Sequence, residues 1–362
     1  MSQSIAFELA GPQHESEIRQ LLREIPLGGS WSIALAREPD AFGGPHLPGE
    51  RQDFILARDI ASGEAVGLCE RIVRPAYVAG ELVDLPYLGA LRVSPSHRHR
   101  LSILRGGFAA LRGYSERPGD YPVALTSITS DNSPARRVLT AGLRGLPTYT
   151  HLADFATFAL RPRRTQRDRA ICEADPHDLE DIAGFLDEGM RQRDLAPRWD
   201  AAGLAGLSGA RFLALREKGR IDGVISVWDQ RASRQTILGG APGLAQLLRM
   251  PANAMARLAG FPPIPRIGQQ IDQVFLSHLV TRDGCPERAV RLIRAGRALA
   301  SDIGARVAIL GVPTRHRWYG AICERFRAIE YRTSLFGVYW PGGEEAFGQI
   351  DRSRLFPEVG LL

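Results

Sequence analysis

The chain has 362 residues, 44% hydrophobic and 24% charged, an ordinary globular composition long enough for two domains and unlike a disordered or fibrous chain. Its net charge is +6, Lys218 is the only lysine, and the arginines are scattered rather than interleaved with aromatics, which counts against a nucleic-acid-binding module. No apolar run approaches the ~20 residues of a membrane span, no basic-then-apolar leader opens the chain, and Cys69, Cys172, Cys285 and Cys323 form no CxxC pair; the expectation is a cytoplasmic protein without membrane, metal or redox site.

In chain order, a strand is expected over residues 4–10. The turn Ala10-Gly11-Pro12 follows, then a helix with Ile18, Leu21 and Leu22 on one face. Strands are expected near 53–59, 65–73 and 85–93, the first two joined at Ser62-Gly63. A turn with Pro95 and the basic cluster Arg98-His99-Arg100 leads into a helix-spaced apolar segment that reaches Tyr114. A strand at 123–129, a helix after Asn132 and a closing strand pair complete this half. The polar stretch 161–169 reads as a linker, dividing 1–163 from 164–362.

The second part repeats the first. Ala10-Gly11-Pro12 matches Ala174-Asp175-Pro176, 164 residues on. At an offset of 188, Asp84, Leu88, Leu91 and Arg100 match Asp272, Leu276, Leu279 and Arg288. At 184, Val123-Ala124-Leu125 matches Val307-Ala308-Ile309, and Asn132 matches His316. Strands are expected at 168–174, 211–216, 221–228 and 271–280, with a hairpin at Lys218-Gly219 and a helix over 315–325. The insert 239–266 is rich in Gly and Pro and is expected to hold one short helix.

Strand, tight loop and helix at residues 85–114 place free N–H groups at a helix N-terminus, beside basic side chains suited to a phosphate. Val93-Ser94-Pro95 with Arg98 resembles the acyl-CoA pyrophosphate loop of the GNAT N-acetyltransferases, and the whole chain resembles a tandem GNAT protein. The resemblance implies an α/β (α+β) fold of two GNAT-like domains, each a mixed, largely antiparallel central sheet flanked by helices. It implies acetyl-CoA or another acyl-CoA as cofactor. Leu91, Arg92 and Val93 would lie beside the pantetheine, and the phosphates would meet Arg98, His99, Arg100 and the N–H groups of Leu101, Ser102 and Ile103. Asn132, followed by Ala135, matches the family's second helix start; it reads as a cofactor contact, a helix cap, or both. The sequence departs from the family at three positions. Leu101 and Ile103 occupy the glycine positions of the loop, and Leu139 stands where a general-acid tyrosine is common.

Acyl transfer to an amine needs a base, a proton donor for the leaving thiolate and a stabilised oxyanion. Glu70 and Asp84 are the base candidates, and Tyr87 reads as acid or pocket lining. In the second half, residues 281–288 lack the arginine-glycine loop, Trp318 and Tyr319 read as core aromatics, and His278 is a mid-strand histidine. The leading reading is an N-acyltransferase acting on a small-molecule or peptide amine, its site in the first half. The alternative is a non-catalytic ligand-binding or interaction protein; aminoacyl transfer from tRNA is a third reading that a localised basic groove would support.

Overall fold

The computed structural model describes residues 5–28, 31–43 and 49–362. The first half runs β1 (Ile5–Leu9), α1 (Glu15–Glu24), β2 (Ser32–Ala36), β3 (Arg51–Asp59), β4 (Ala65–Val78), β5 (Glu81–Val93), α2 (Leu101–Ser115), β6 (Ala124–Thr129), α3 (Ser133–Leu139) and β7 (Thr148–Leu160). The second runs β8 (Ile171–Glu173), α4 (Leu179–Arg191), β9 (Ala196–Pro197), α5 (Ala201–Gly206), β10 (Ala210–Glu217), β11 (Arg220–Trp228) and β12 (Gln235–Gly240). It continues through α6 (Gly243–Leu247), α7 (Arg249–Ala259), β13 (Gln273–Thr281), α8 (Pro286–Asp302), β14 (Val307–Pro313), α9 (Trp318–Arg325), β15 (Ala328–Tyr339) and α10 (Glu344–Gln349).

One sheet crosses both halves in the order β1-β3-β4-β5-β6-β15-β7-β14-β13-β11-β10-β8. Its two sides mirror one another: β5 lies parallel to β6, β13 lies parallel to β14, and the other neighbours are antiparallel. The expected closing strand pair within each half is corrected here. Each half ends in a single long strand, and the two are exchanged: β15 pairs with β6 and β7 pairs with β14. The β7–β15 ladder then welds the halves along twelve register pairs.

Alternation along β3 explains the layers. Phe54 and Leu56 meet α1 through Ile18, Leu21 and Leu22, while Ile55 meets Phe108 and Leu111 of α2. Burying Phe108 or Leu111 contributes roughly 2–3 kcal/mol each. Gly106 is required on α2, since a Cβ there would stand 2.2 Å from the Phe7 ring.

Three further expectations are corrected. Strands β4 and β5 pass through Pro75 and Pro86 and meet at the turn Ala79-Gly80, whose φ values are +52° and +85°. The first strand of the second half is only Ile171–Glu173. The insert holds two helices, α6 and α7, because Pro251 sits in the first turn of α7, where its missing N–H costs no hydrogen bond.

Candidate functional site

Strands β5 and β6 pair at Tyr87–Leu125, and the Thr126 hydroxyl donates to the Leu88 carbonyl at 2.7 Å. Beyond that point they share no ladder among the described residues. The cause is a bulge: the β4–β5 register shifts between Leu68 and Glu70, and Ala90 opposite takes φ +52°. The opening has residues 91–93 on one edge and Ser127, Ile128 and Thr129 on the other. Leu91 turns toward α2, where a cavity of about 20 Å³ lies against Ile103 and Phe108. Arg92 is buried, and its Nε donates to the Ile25 carbonyl at 2.9 Å.

Val93 leads straight into the basic loop. Ser94 N–H bonds the Val66 carbonyl at 2.8 Å, and His97 pins the loop, its Nε2 3.3 Å from Asp59 Oδ2 and its Nδ1 2.8 Å from Ser96 Oγ. Arg98 and His99 are left exposed, with Arg100 half-buried. Helix α2 then starts without a side-chain cap and without an acid in its first turn, so its N–H groups present a positive end. The side chains at the glycine positions do not obstruct it. Ile103 is buried against Ala57 and Val66, Leu101 is half-buried, and Ser102 is exposed. These residues fit an anionic group such as a phosphate. Asn132 caps α3, its Oδ1 accepting from Ala135 N–H at 3.3 Å.

The face of the sheet opposite α2 carries a polar cluster. Glu70 is buried; it accepts from Arg37 Nη2 at 2.6 Å and from Gln52 Nε2 at 2.5 Å. Burial pushes its carboxyl up, but Arg37, Arg234 and the Gln52 bond outweigh this and hold it below the usual range. Tyr87 lies beside it, its hydroxyl 2.9 Å from Ser127 Oγ; burial raises its phenol, so it stays protonated. Arg74 joins the cluster through Glu50 at 2.7 Å. Arg37 and Arg234 arrive on the two-stranded ribbon β2–β12, where Ala36 faces Gln235. Asp84 is not brought here. It is exposed at the start of β5, 3.7 Å from Arg51, on the far side from the opening and near a larger cavity of about 290 Å³ lined by Arg71, Arg117, Asp120 and Trp340.

Two guanidiniums in the cluster are incompletely bonded among the described residues. Arg92 leaves Nη1 and Nη2 buried without a hydrogen bond, and Arg234 makes no side-chain hydrogen bond or ion pair among the described residues. Burial lowers each to about 10, so both remain cationic at neutral pH. Four arginines (37, 74, 92, 234) surround two carboxylates (50, 70), an excess of two positive charges.

The second half repeats the bulge and fills its opening. His278 takes φ +55° opposite the β11 register shift between Val224 and Ser226. Its N–H bonds Glu358 Oε2 at 2.9 Å, and the buried segment Leu355, Phe356, Val359, Gly360 and Leu361 lies over β13 and β14. A Cβ on Gly360 would come within 3.0 Å of Ser277 and Trp228. The same segment reaches the first cluster, since Arg74 Nη1 donates to the Leu361 carbonyl at 3.1 Å. His278 itself is enclosed, with Nδ1 2.6 Å from Ser226 Oγ and its ring against Trp199 and Phe212; burial depresses it to about 3. Helix α8 carries its own acid, Glu287, in its first turn. His316, which matches Asn132 in the repeat, stands one residue before the α9 N-cap Arg317 and accepts from the Trp318 N–H at 3.3 Å.

Sequence reading missed Arg37, Gln52, Ser127, Arg234 and Glu358. Only Glu358 carried a local signal, as the single charge in an otherwise apolar tail, LFPEVGLL. The others depend on the β2–β12 ribbon and on the sheet register.

No protein-family model matches the chain, and no curated protein matches it. Solved structures do. N-myristoyltransferase of Saccharomyces cerevisiae with bound myristoyl-CoA aligns over 93% of this chain and 83% of its own, with TM-score 0.59 and 10% identity. A putative acetyltransferase from Pyrococcus horikoshii aligns over 93% and 90%, with TM-score 0.52 and 12% identity. A GCN5-related N-acetyltransferase from Sphaerobacter thermophilus aligns over 92% and 95%, with TM-score 0.50 and 12% identity. The mirrored sheet, its two parallel bulged pairs and these likenesses give one conclusion: the chain has the tandem GNAT fold.

Proposed function

We propose that the protein is an acyl-CoA-dependent N-acyltransferase whose working cleft lies in the first half, residues 1–163, with residues 164–362 shaping the acceptor side. The carrying observation is the open β5–β6 pair, leading at one end to the uncapped cationic start of α2 and bordered on its inner face by Tyr87 and Glu70. Acetyl-CoA or another acyl-CoA is the donor. Its phosphates meet Arg98, His99, Arg100 and the N–H groups of Leu101, Ser102 and Ile103, and its arm lies along Leu91, Arg92 and Val93, with Asn132 at the edge. The amine attacks the thioester carbonyl, a C–N bond forms, the C–S bond breaks, and the thiolate takes a proton. Tyr87, kept protonated, donates to the departing sulfur. Glu70, held ionised, orients the amine and receives its proton. The excess of arginines around Glu50 and Glu70, with both Nη atoms of buried Arg92 left without a hydrogen bond, favours an acceptor that carries an anionic group besides its amine, since excess buried positive charge is costly.

Titration calorimetry with acetyl-CoA and CoA, followed by thiol release with a panel of amino-acid and peptide amines, tests this. Saturable binding with turnover, slowed at least about tenfold by Tyr87→Phe, is the expected result. Binding without turnover favours the non-catalytic reading, for which the commitment of Glu70 to Arg37 speaks. No binding at ~1 mM, weaker than about −4 kcal/mol, removes the acyl-CoA reading.

A further inference from the structure

The insert between β12 and β13 has no counterpart in the first half, and among the described residues it carries the largest apolar exposure. Six of the twelve large exposed apolar residues lie on it: Leu247, Leu248, Met250, Met255, Leu258 and Ile267. Leu258 is 90% exposed and Met255 71%. The arrangement on α7 is ordered. Asn253 faces inward, its Oδ1 accepting from Ile264 N–H at 2.7 Å and its Nδ2 donating to the Ile264 carbonyl at 3.0 Å. At 100° per residue, Leu248, Pro251, Met255 and Leu258 fall on the opposite, outward side. The helix is held in this attitude from behind: Arg161 donates to the Arg257 carbonyl at 2.5 Å and Arg327 to the Ala259 carbonyl at 2.9 Å.

Charge identifies what the face meets. No Asp or Glu occurs between Asp229 and Asp272, whereas Arg249, Arg257 and Arg266 lie on the insert itself. At 100° per residue Arg249 and Arg257 fall about 140° from the centre of the apolar face, on the polar side of the helix, and the insert offers no carboxylate to a protein partner's cations. An apolar helical face with only cations on its other sides matches the physics of a helix lying in the interface of an anionic bilayer.

We propose that the α6–α7 insert is a peripheral membrane-binding element that inserts Leu248, Met255 and Leu258 into an anionic lipid surface.

The test is flotation of the full-length protein with phosphatidylcholine vesicles, with and without phosphatidylserine, for the wild type and the double variant Met255→Glu, Leu258→Glu. Both positions are exposed, and an unchanged melting temperature verifies that the variant is folded. Expected are wild-type flotation with phosphatidylserine vesicles, weaker flotation with phosphatidylcholine alone or at high salt, and a loss of about tenfold or more in the variant. Flotation that the variant retains, or no wild-type flotation, overturns the proposal. So does a wild-type dimer, seen by light scattering, that the double variant converts to monomer, because the face is then covered by a second copy.

Discussion

Ala90 and His278 stand 188 residues apart in the chain and hold the same left-handed backbone, φ +52° and +55°, at the same bulge of two mirrored strands. The bulge opens a parallel strand pair in both halves; among the described residues Glu358 accepts from the bulge N–H in the second opening, whereas the first is bordered by residues 25–28 through Arg92–Ile25 and Thr129–Gly28. This difference supports the proposal that the acyl-CoA cleft lies in the first half.

The shared geometry makes opposite predictions for one substitution. Ala90→Gly removes the left-handed penalty of a side chain and should raise the unfolding free energy by about 0.5–1 kcal/mol. His278→Gly removes the same penalty but also the Ser226 bond and the packing on Trp199 and Phe212, so it should lower stability. Urea unfolding of the two variants reads the signs directly.

Arg98 is exposed in a loop that His97 holds in place. Arg98→Ala should therefore weaken acyl-CoA binding by about 1.5–3 kcal/mol, a charge-assisted bond to phosphate, without changing the melting temperature. Calorimetric affinity equal to wild type would place the phosphates elsewhere.

Arg234 comes from the second half, acts electrostatically on Glu70, and makes no side-chain hydrogen bond or ion pair among the described residues. With an anionic acceptor, Arg234→Gln should raise KM about tenfold or more while kcat changes little, because the lost contact is made equally in ground and transition states. A fall in kcat at unchanged KM would instead place Arg234 at the reacting atoms.

Burial raises the Glu358 carboxyl above its ordinary value. The sign follows from linkage: the folded state binds this proton more tightly than the unfolded one. The stabilisation is complete below the unfolded pKa and is lost as pH rises through the raised folded value. Glu358→Gln keeps a carbonyl acceptor for the His278 N–H and cannot ionise. Its melting temperature should approach or exceed that of the wild type as pH rises from about 4 to 8. Parallel pH profiles for the two proteins would show that Glu358 does not titrate across this range.

Much of the frame was legible in the sequence because it is local. Periodicity locates α1, β3, β10 and β11, the turn at Ser62-Gly63 is a short-range signal, and the 188 offset aligns the two bulged strands from the sequence alone. The loop at residues 94–100 was legible for the same reason, since strand, turn and helix are contiguous there. The turn at Ala79-Gly80 was not, because alanine seldom takes a left-handed conformation without the support of its neighbours.

Sequence alone determined α1, β3, β10, β11, the internal repeat and the basic loop, each of which depends on residues a few positions apart or on a repeated pattern. Tertiary structure alone decided the exchange of β7 and β15, the meeting of Arg37 and Arg234 across the β2–β12 ribbon, the exclusion of Asp84 from the cluster, and the filling of the second opening by Glu358. These are pairings between segments up to 214 residues apart, chosen by which sheet edge remains unpaired and which buried charge remains uncompensated, and neither property resides in any single stretch of chain.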